Sequence, residues 1–300
     1  MFYDYSRQAR LLTYVDVLNQ PQIYNYDKSS GQLQSTTLGT TSARFYYNAQ
    51  GEIDRIETTD GTQTLTTKLT YDDHGREMVR EFDFGGGVIQ QLNQIYNVVD
   101  GMVQSTLTEA GTILRDQTYK YDVRSRLEEY ECKGKQPPLD PYGNEIEMQL
   151  FFFDEVDNIV RADTYFPGDR NRANYTYDNP NDPAQLTAVT NNHPDYPSVI
   201  NLTYNADGNL LCDEEGRSLG YDDLGRLISV SEPTGGAATK TYGYDSLDAL
   251  ASQNAGGGDQ LRFYQDDKIH TLHQGAERST FVQANGVVLA ERQAGVGPKS

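Results

Sequence analysis

Basic residues are scarce in this chain. Its 300 residues include 25 Lys and Arg against 44 Asp and Glu, a net charge of −19. Phosphate binding needs clustered Lys and Arg, so a nucleic-acid partner is not expected, nor an anionic membrane surface. The acidic residues are spread along the chain and form no acidic tail, so their direct effect is to repel other acidic chains. Long apolar runs are missing as well. No eighteen consecutive apolar residues occur, so no helix is expected to cross a bilayer. The opening Met1-Phe2-Tyr3-Asp4-Tyr5-Ser6-Arg7 lacks the basic-then-apolar order of a secretory signal. Cysteine occurs only at Cys132 and Cys212. The pair predicts two reduced, partly buried thiols, with one disulfide as the alternative that sequence leaves open. The four histidines, His74, His193, His270 and His273, show no metal-ligand spacing. His270 and His273 would leave opposite faces of a strand, and all four are expected at exposed strand or turn positions.

Hydrophobic residues make up only 36% of the chain, which together with the charge would suit disorder. The aromatics argue otherwise. There are 22 Tyr and 10 Phe, and they recur at regular places. Tyr suits a half-buried position, since its ring packs while its hydroxyl reaches a partner. A thin-walled ordered structure with much surface is therefore expected.

The regularity is a repeat. Tyr221-Asp222-Asp223-Leu224-Gly225-Arg226-Leu227 reads aromatic, Asp, two free positions, Gly, Arg, apolar. Counterparts start at Tyr5, Tyr26, Tyr47, Tyr71, Tyr96, Tyr121, Phe153, Tyr177, Tyr204, Tyr244 and Tyr264, mostly 20 to 25 residues apart. The second position is Asp or Asn in ten of the twelve units, including Asp72, Asn205 and Asp222. Such side chains bond the backbone N–H two residues on and start a turn. The fifth position is Gly51, Gly75, Gly208 or Gly225 in the clearest units, and Asp100, Asp157, Asp248 or Asp267 in others. These residue types tolerate a positive φ. The unit from Tyr26 reaches Gly31 one residue late, which predicts a longer turn.

Ahead of the turns the pattern alternates, as in Tyr119-Lys120-Tyr121 and Tyr242-Gly243-Tyr244. A period of two is a strand with one packed face. Strand, Asx turn, Gly, strand is a β-hairpin, and a hairpin cannot bury its face alone. The chain is thus expected to be all-β, a hairpin array stacked into a curved, spiralling antiparallel sheet with edges at both ends. One domain over 1–293 and a flexible tail over 294–300 complete the expectation. Cys132 to Gly143, Asn179 to Pro183 and Asn191 to Pro197 read as surface loops.

No catalytic constellation stands out. Asp72 with Asp73, and Asp222 with Asp223, have the look of glycosidase pairs, but a unique pair would not be copied along the chain. The triplets Gly85 to Gly87 and Gly256 to Gly258 lack the Lys-Ser/Thr of a phosphate loop and read as hairpin tips. Arg76, Arg126 and Arg226 are expected to pair with the turn Asp or cover a neighbouring ring. The residues singled out, Asp72, Gly75, Arg76, Asn205, Gly208, Asp222, Gly225 and Arg226, are given a structural role, with no cofactor and no metal.

The phrase Tyr-Asp-x-x-Gly-Arg-Leu resembles the YD repeat of the RHS family. Tyr71 to Arg76, Tyr204 to Leu210 and the run from Asn201 to Ser231 carry the resemblance, which extends over nearly the whole chain. In that family the repeats wind into a spiral β-sheet that closes into a hollow shell, a β-cocoon, around a C-terminal toxin. Related shells occur in insecticidal toxin-complex proteins and in animal teneurins. The resemblance implies a non-enzymatic shell module, exported from a bacterium without a signal peptide. Its partners would be a toxin cargo or further shell segments, with self-association through the sheet edges. A carbohydrate- or protein-binding module is the alternative. The family's autoproteolytic Asp-Pro-x-Gly-Leu core is not seen. Asp140-Pro141-Tyr142-Gly143 matches it only superficially, with Asn144 in place of Leu, and is read as a turn. The residues up to Ser300 are expected to be repeat region only.

Overall fold

Alternation turns into strands along the whole chain. The structure, a computed structural model, describes residues 1–233 and 238–294. In chain order the strands are β1 (Phe2–Tyr5), β2 (Leu11–Val15), β3 (Pro21–Tyr26), β4 (Leu33–Leu38), β5 (Thr41–Tyr47), β6 (Ile53–Asp60), β7 (Gln63–Tyr71), β8 (Glu77–Asp83) and β9 (Ile89–Tyr96). They continue as β10 (Met102–Glu109), β11 (Thr112–Tyr121), β12 (Leu127–Lys133), β13 (Met148–Phe153), β14 (Ile159–Phe166), β15 (Asp169–Thr176), β16 (Ala188–Thr190) and β17 (Val199–Asn201). The last group is β18 (Ser218–Tyr221), β19 (Leu227–Ser231), β20 (Ala238–Tyr244), β21 (Leu250–Asn254), β22 (Asp259–Gln265), β23 (Lys268–Gln274), β24 (Glu277–Ala284) and β25 (Val287–Ala294). No helix occurs among the described residues. Ala294, assigned to the tail by sequence, closes β25, and the rest of that tail lies outside the described residues.

From β1 to β17 each strand pairs antiparallel with the next. The same holds from β18 to β25. Between the two sheets single bridges, Tyr204 to Leu210 and Cys212 to Ser218, carry the meander across. The ribbon is therefore nearly continuous, each hairpin held by its neighbours in sequence.

Its curvature has a local source. At the repeat hairpins the register shifts immediately before the unit's aromatic, as between Thr70 and Tyr71, Lys120 and Tyr121, Gly220 and Tyr221, and Gly243 and Tyr244. Such bulges increase the right-handed twist and bend the strand that carries them. Repeated along one margin, they curl the ribbon.

The curl brings the two ends together. The main hydrophobic cluster joins Tyr14, Tyr24, Leu33, Ala43, Phe45, Ile56 and Leu69 of the first strands to Ala284, with Val287 and Leu289 packed against it. The most deeply buried side chains, Tyr14, Leu38, His270, Gln22, Val282, Thr36, Thr41 and Thr271, come from the same two ends. This clasp is half polar. Gln22 donates to Thr36 Oγ1 (2.9 Å) and to the Gln283 carbonyl (3.0 Å), and Gln265 donates to Tyr24 OH (3.0 Å). The His270 ring stands edge-on to Tyr14 at 4.6 Å. Elsewhere the wall is thin. The accessible surface is 17901 Å², where a compact monomer of this mass would expose roughly 12,700 Å².

Candidate functional site

The feature that recurs is the turn, and its chemistry is fullest at Asp72. The Asp72 N–H donates to the Arg76 carbonyl and the Gly75 N–H to the Asp72 carbonyl, each at 3.0 Å. Asp72 Oδ1 accepts from the N–H groups of His74 (2.9 Å) and Arg76 (3.0 Å). One carboxylate oxygen thus satisfies two backbone donors that the turn leaves unpaired. Gly75 sits at φ +76°, where a Cβ is strained. The other oxygen, Oδ2, accepts from Arg76 Nε (2.7 Å) and Nη2 (2.6 Å), an ion pair in which two guanidinium N–H groups share one oxygen.

Arg76 also reaches out of its own unit. Its Nη1 bonds Asp100 Oδ1 (2.7 Å) and the Asn97 carbonyl (3.1 Å), and its guanidinium lies 5.0 Å from the centre of the Tyr96 ring. Asp100 is the next unit's fifth-position residue, at φ +65°. Asp222, Gly225 and Arg226 repeat the arrangement. Leu224 and Arg226 N–H bond Asp222 Oδ1, Arg226 grips Oδ2, and Arg226 reaches Asp248 and the Tyr244 ring. Gly225 is at φ +76°. Arg126 does the same with Asp122, Asp157 and Phe153. At Asn205 the amide oxygen accepts from Asp207 (3.0 Å) and Asn209 (2.9 Å), with Gly208 at φ +82°; Asn209 stands where Arg would be, so the bridge to the next unit is missing.

These contacts set the electrostatics. The hydrogen bond from the Arg76 side chain holds the Asp72 carboxyl at about 2, against desolvation that pushes it up. Asp222 is lowered by the Arg226 backbone N–H and then by its side chain. The carboxylates are stably ionised and fully occupied as acceptors, which suits a fastener and not a proton-transfer group.

A second coupling runs through the aromatics. Tyr47 OH donates to the Leu33 carbonyl (2.7 Å), Tyr71 to Ile53 (2.7 Å), Tyr121 to Met102 (2.8 Å), Tyr177 to Ile159 (3.0 Å), Tyr204 to Leu186 (2.6 Å), Tyr244 to Leu227 (2.8 Å) and Tyr264 to Leu250 (2.8 Å). Each phenol ties its unit to the preceding one.

Several placements differ from the sequence reading. His270 is fully buried in the clasp, because β22 to β25 fold onto the first strands, a contact no local pattern announces. His193, also expected exposed, packs edge-on against Phe166 and Tyr196, with its side chain 8% accessible. Asp267 is not the positive-φ residue of its unit. Gln265 pairs directly with Lys268, so the turn is two residues long and Asp266 takes φ +54°.

Further turns of the same kind lie outside the twelve units, among them the expected turn at Asp140. Asp213 accepts from Glu215 and Arg217 N–H and grips the Arg217 side chain, but Cys212 stands in the aromatic position. Asp16 caps Leu18 and Gln20, after Val15. Asp140 caps Tyr142 and Asn144, and then accepts from Tyr196 OH, so the first and third loops dock on each other. Asp followed four residues later by Arg, Gln or Asn was the available signal. Both cysteines are free thiols, Cys132 buried. Among the described residues no group of three or more His, Cys, Asp or Glu is placed to hold a metal.

Comparison with known proteins agrees with this geometry. The crystal structure of TcdB2-TccC3 aligns with a TM-score of 0.61 at 13% identity, covering 96% of this chain and 17% of that one. A TcdB2-TccC3 structure without the hypervariable C-terminal region aligns at 0.58 and 15% identity, over 91% of this chain and 15% of that one. The chain thus spans under a fifth of the length of these solved relatives, and at such identity the likeness is one of fold. No curated protein sequence matches it. The family model described as the teneurin YD-shell matches residues 1–272. By turn, ladder and sheet alike, the chain belongs to the teneurin YD-shell family.

Proposed function

We propose that this chain is a non-enzymatic wall segment of a YD-repeat shell that encloses a polypeptide cargo, a toxin by analogy with the proteins whose fold it shares. The observation that carries the reading is the inter-unit fastening. Arg76, Arg126 and Arg226 each join consecutive turns, and the Tyr hydroxyls bond the preceding unit's carbonyls. At these turns the carboxylates, guanidinium groups and phenols are used in holding one hairpin to the next, which is what a wall requires. The test is limited proteolysis of the full natural gene product, followed by mass spectrometry. A polypeptide from outside the repeats that resists protease until the fold is denatured supports the proposal. Its immediate digestion overturns it.

The partners proposed are this cargo, further shell segments and second copies. Among the described residues β1 pairs only with β2, and β25 only with β24, so each offers one unpaired row of backbone groups. Sedimentation of the 300-residue chain should show reversible self-association rising with concentration, and a strict monomer at high concentration would contradict the edge contribution. The carbohydrate-binding alternative is the weaker reading, since the tyrosine hydroxyls a sugar would use already bond to carbonyls. Export from the cell follows only if the cargo is a toxin.

A further inference from the structure

The clasp leaves a small pocket with unmet hydrogen-bonding capacity. It measures about 320 Å³ and lies between Tyr24 of β3, the β22–β23 turn and the β24–β25 turn. Gln265 and Gln283 line it, each only 7% accessible. The Oε1 atoms of both are buried and have no hydrogen-bond partner. Leaving a buried amide oxygen unpaired is costly, and two at one pocket point to a missing donor. Gln265 Nε2 is already engaged by Tyr24 OH. At the mouth stand the exposed carboxylates Asp266 and Asp267. The one cation in the lining, Lys268, is held at the Gly286 carbonyl (2.9 Å) and bonds neither amide oxygen.

The lining selects a ligand class. Acceptors dominate, two carboxylates add negative charge, and the Tyr24 ring offers an aromatic wall. A divalent metal is disfavoured, because no three His, Cys, Asp or Glu converge among the described residues. A guanidinium fits better. It is planar, always charged, presents five N–H donors to several acceptors at once, and stacks on aromatic faces. From this we propose that the clasp pocket binds the guanidinium of an arginine side chain presented by a second polypeptide. The clasp then is a docking point as well as a closure, and an acidic protein attracts such a basic segment at long range.

The experiment is a titration of the 300-residue chain with N-acetyl-arginine amide, followed by NMR of the Gln265 and Gln283 side-chain amides. Saturable shifts of both, below roughly 10 mM, ten times the scale of a weak small-ligand complex, are expected. The double variant Asp266→Asn, Asp267→Asn should weaken binding tenfold or more. The variant Asp73→Asn, Asp223→Asn removes equal charge from exposed turn positions elsewhere and should leave it unchanged. Gln283→Met deletes one acceptor at similar volume and should weaken binding with the carboxylates intact. Four results overturn the proposal. They are no saturation, equal binding of the neutral N-acetyl-citrulline amide, equal weakening by the control variant, and the same shifts with methyl glucoside, which would make the pocket a polyol site. Circular dichroism separates a lost site from a lost fold.

Discussion

Tyr71 offers the cleanest single-atom change in the repeat. Its hydroxyl donates to the Ile53 carbonyl at 2.7 Å while its ring stays half-buried. Tyr71→Phe keeps the ring and removes the bond, so it should cost about 1 kcal/mol in chemical denaturation. Tyr121→Phe, which loses the bond to Met102, should cost the same. The two lie in separate hairpins, so their costs should add within about 0.5 kcal/mol. Phe153 already lacks a hydroxyl at the equivalent position, and there the ring contributes only packing under Arg126. Gly225 tests the turn itself. At φ +76° a β-branched residue is disfavoured, so Gly225→Val should cost about 2 kcal/mol and Gly225→Asn much less. Melting curves of the pair decide it, and equal costs would place the penalty in packing and not in φ. No activity should disappear with either.

Within one hairpin almost everything was legible in the sequence. Asp or Asn at the second position, Gly at the fifth and apolar at the seventh encode a turn whose hydrogen bonds are short-range, so local residue types suffice. The reading stopped where the aromatic was missing. Asp213 heads a full turn, with Arg217 bound through Nε at 2.7 Å, yet Cys212 hides it. Asp213→Ala should therefore behave as Asp222→Ala does. Both leave two backbone N–H groups without their side-chain acceptor, and each should lose about 1 to 2 kcal/mol in the same denaturation assay. A neutral Asp213→Ala would show that the aromatic, and not the Asx cap, makes the unit. The docked loops were illegible for a different reason. Tyr196 meets Asp140 across 56 residues, and that meeting depends on how far the ribbon has curled between them.

At the scale of the molecule, a thin ribbon is held mainly by nearest neighbours, apart from the docked loops at Asp140 and Tyr196 and the clasp, where first and last strands share a buried polar core. His270 is its titratable member. Burial lowers it from 6.5 to about 4, while Asp16 pulls the other way. Nε2 faces Gln22 Oε1 at 3.4 Å and Nδ1 faces Thr271 Oγ1 at 3.1 Å, an arrangement that the neutral ring satisfies. The unfolded chain takes up the proton first as pH falls. The stability that the neutral ring supports is therefore whole above pH 6.5 and drains away as pH drops toward 4, by about 3 kcal/mol. The turn carboxylates are lost only lower, since Asp72 stays ionised down to about 2. Acid should then act in two stages, clasp before ribbon. Hydrogen exchange followed from pH 7 to 4, corrected for its intrinsic pH dependence, should show protection falling first in β22 to β25 and β2 to β3. The amides of β8 to β12, which lie outside the clasp cluster and depend on their own neighbours, should hold. His270→Gln should remove the difference between the two regions over that range, at the cost of a weaker clasp at neutral pH. A uniform loss of protection along the ribbon would mean that closure at the clasp is coupled to every hairpin, and that the wall opens as one body.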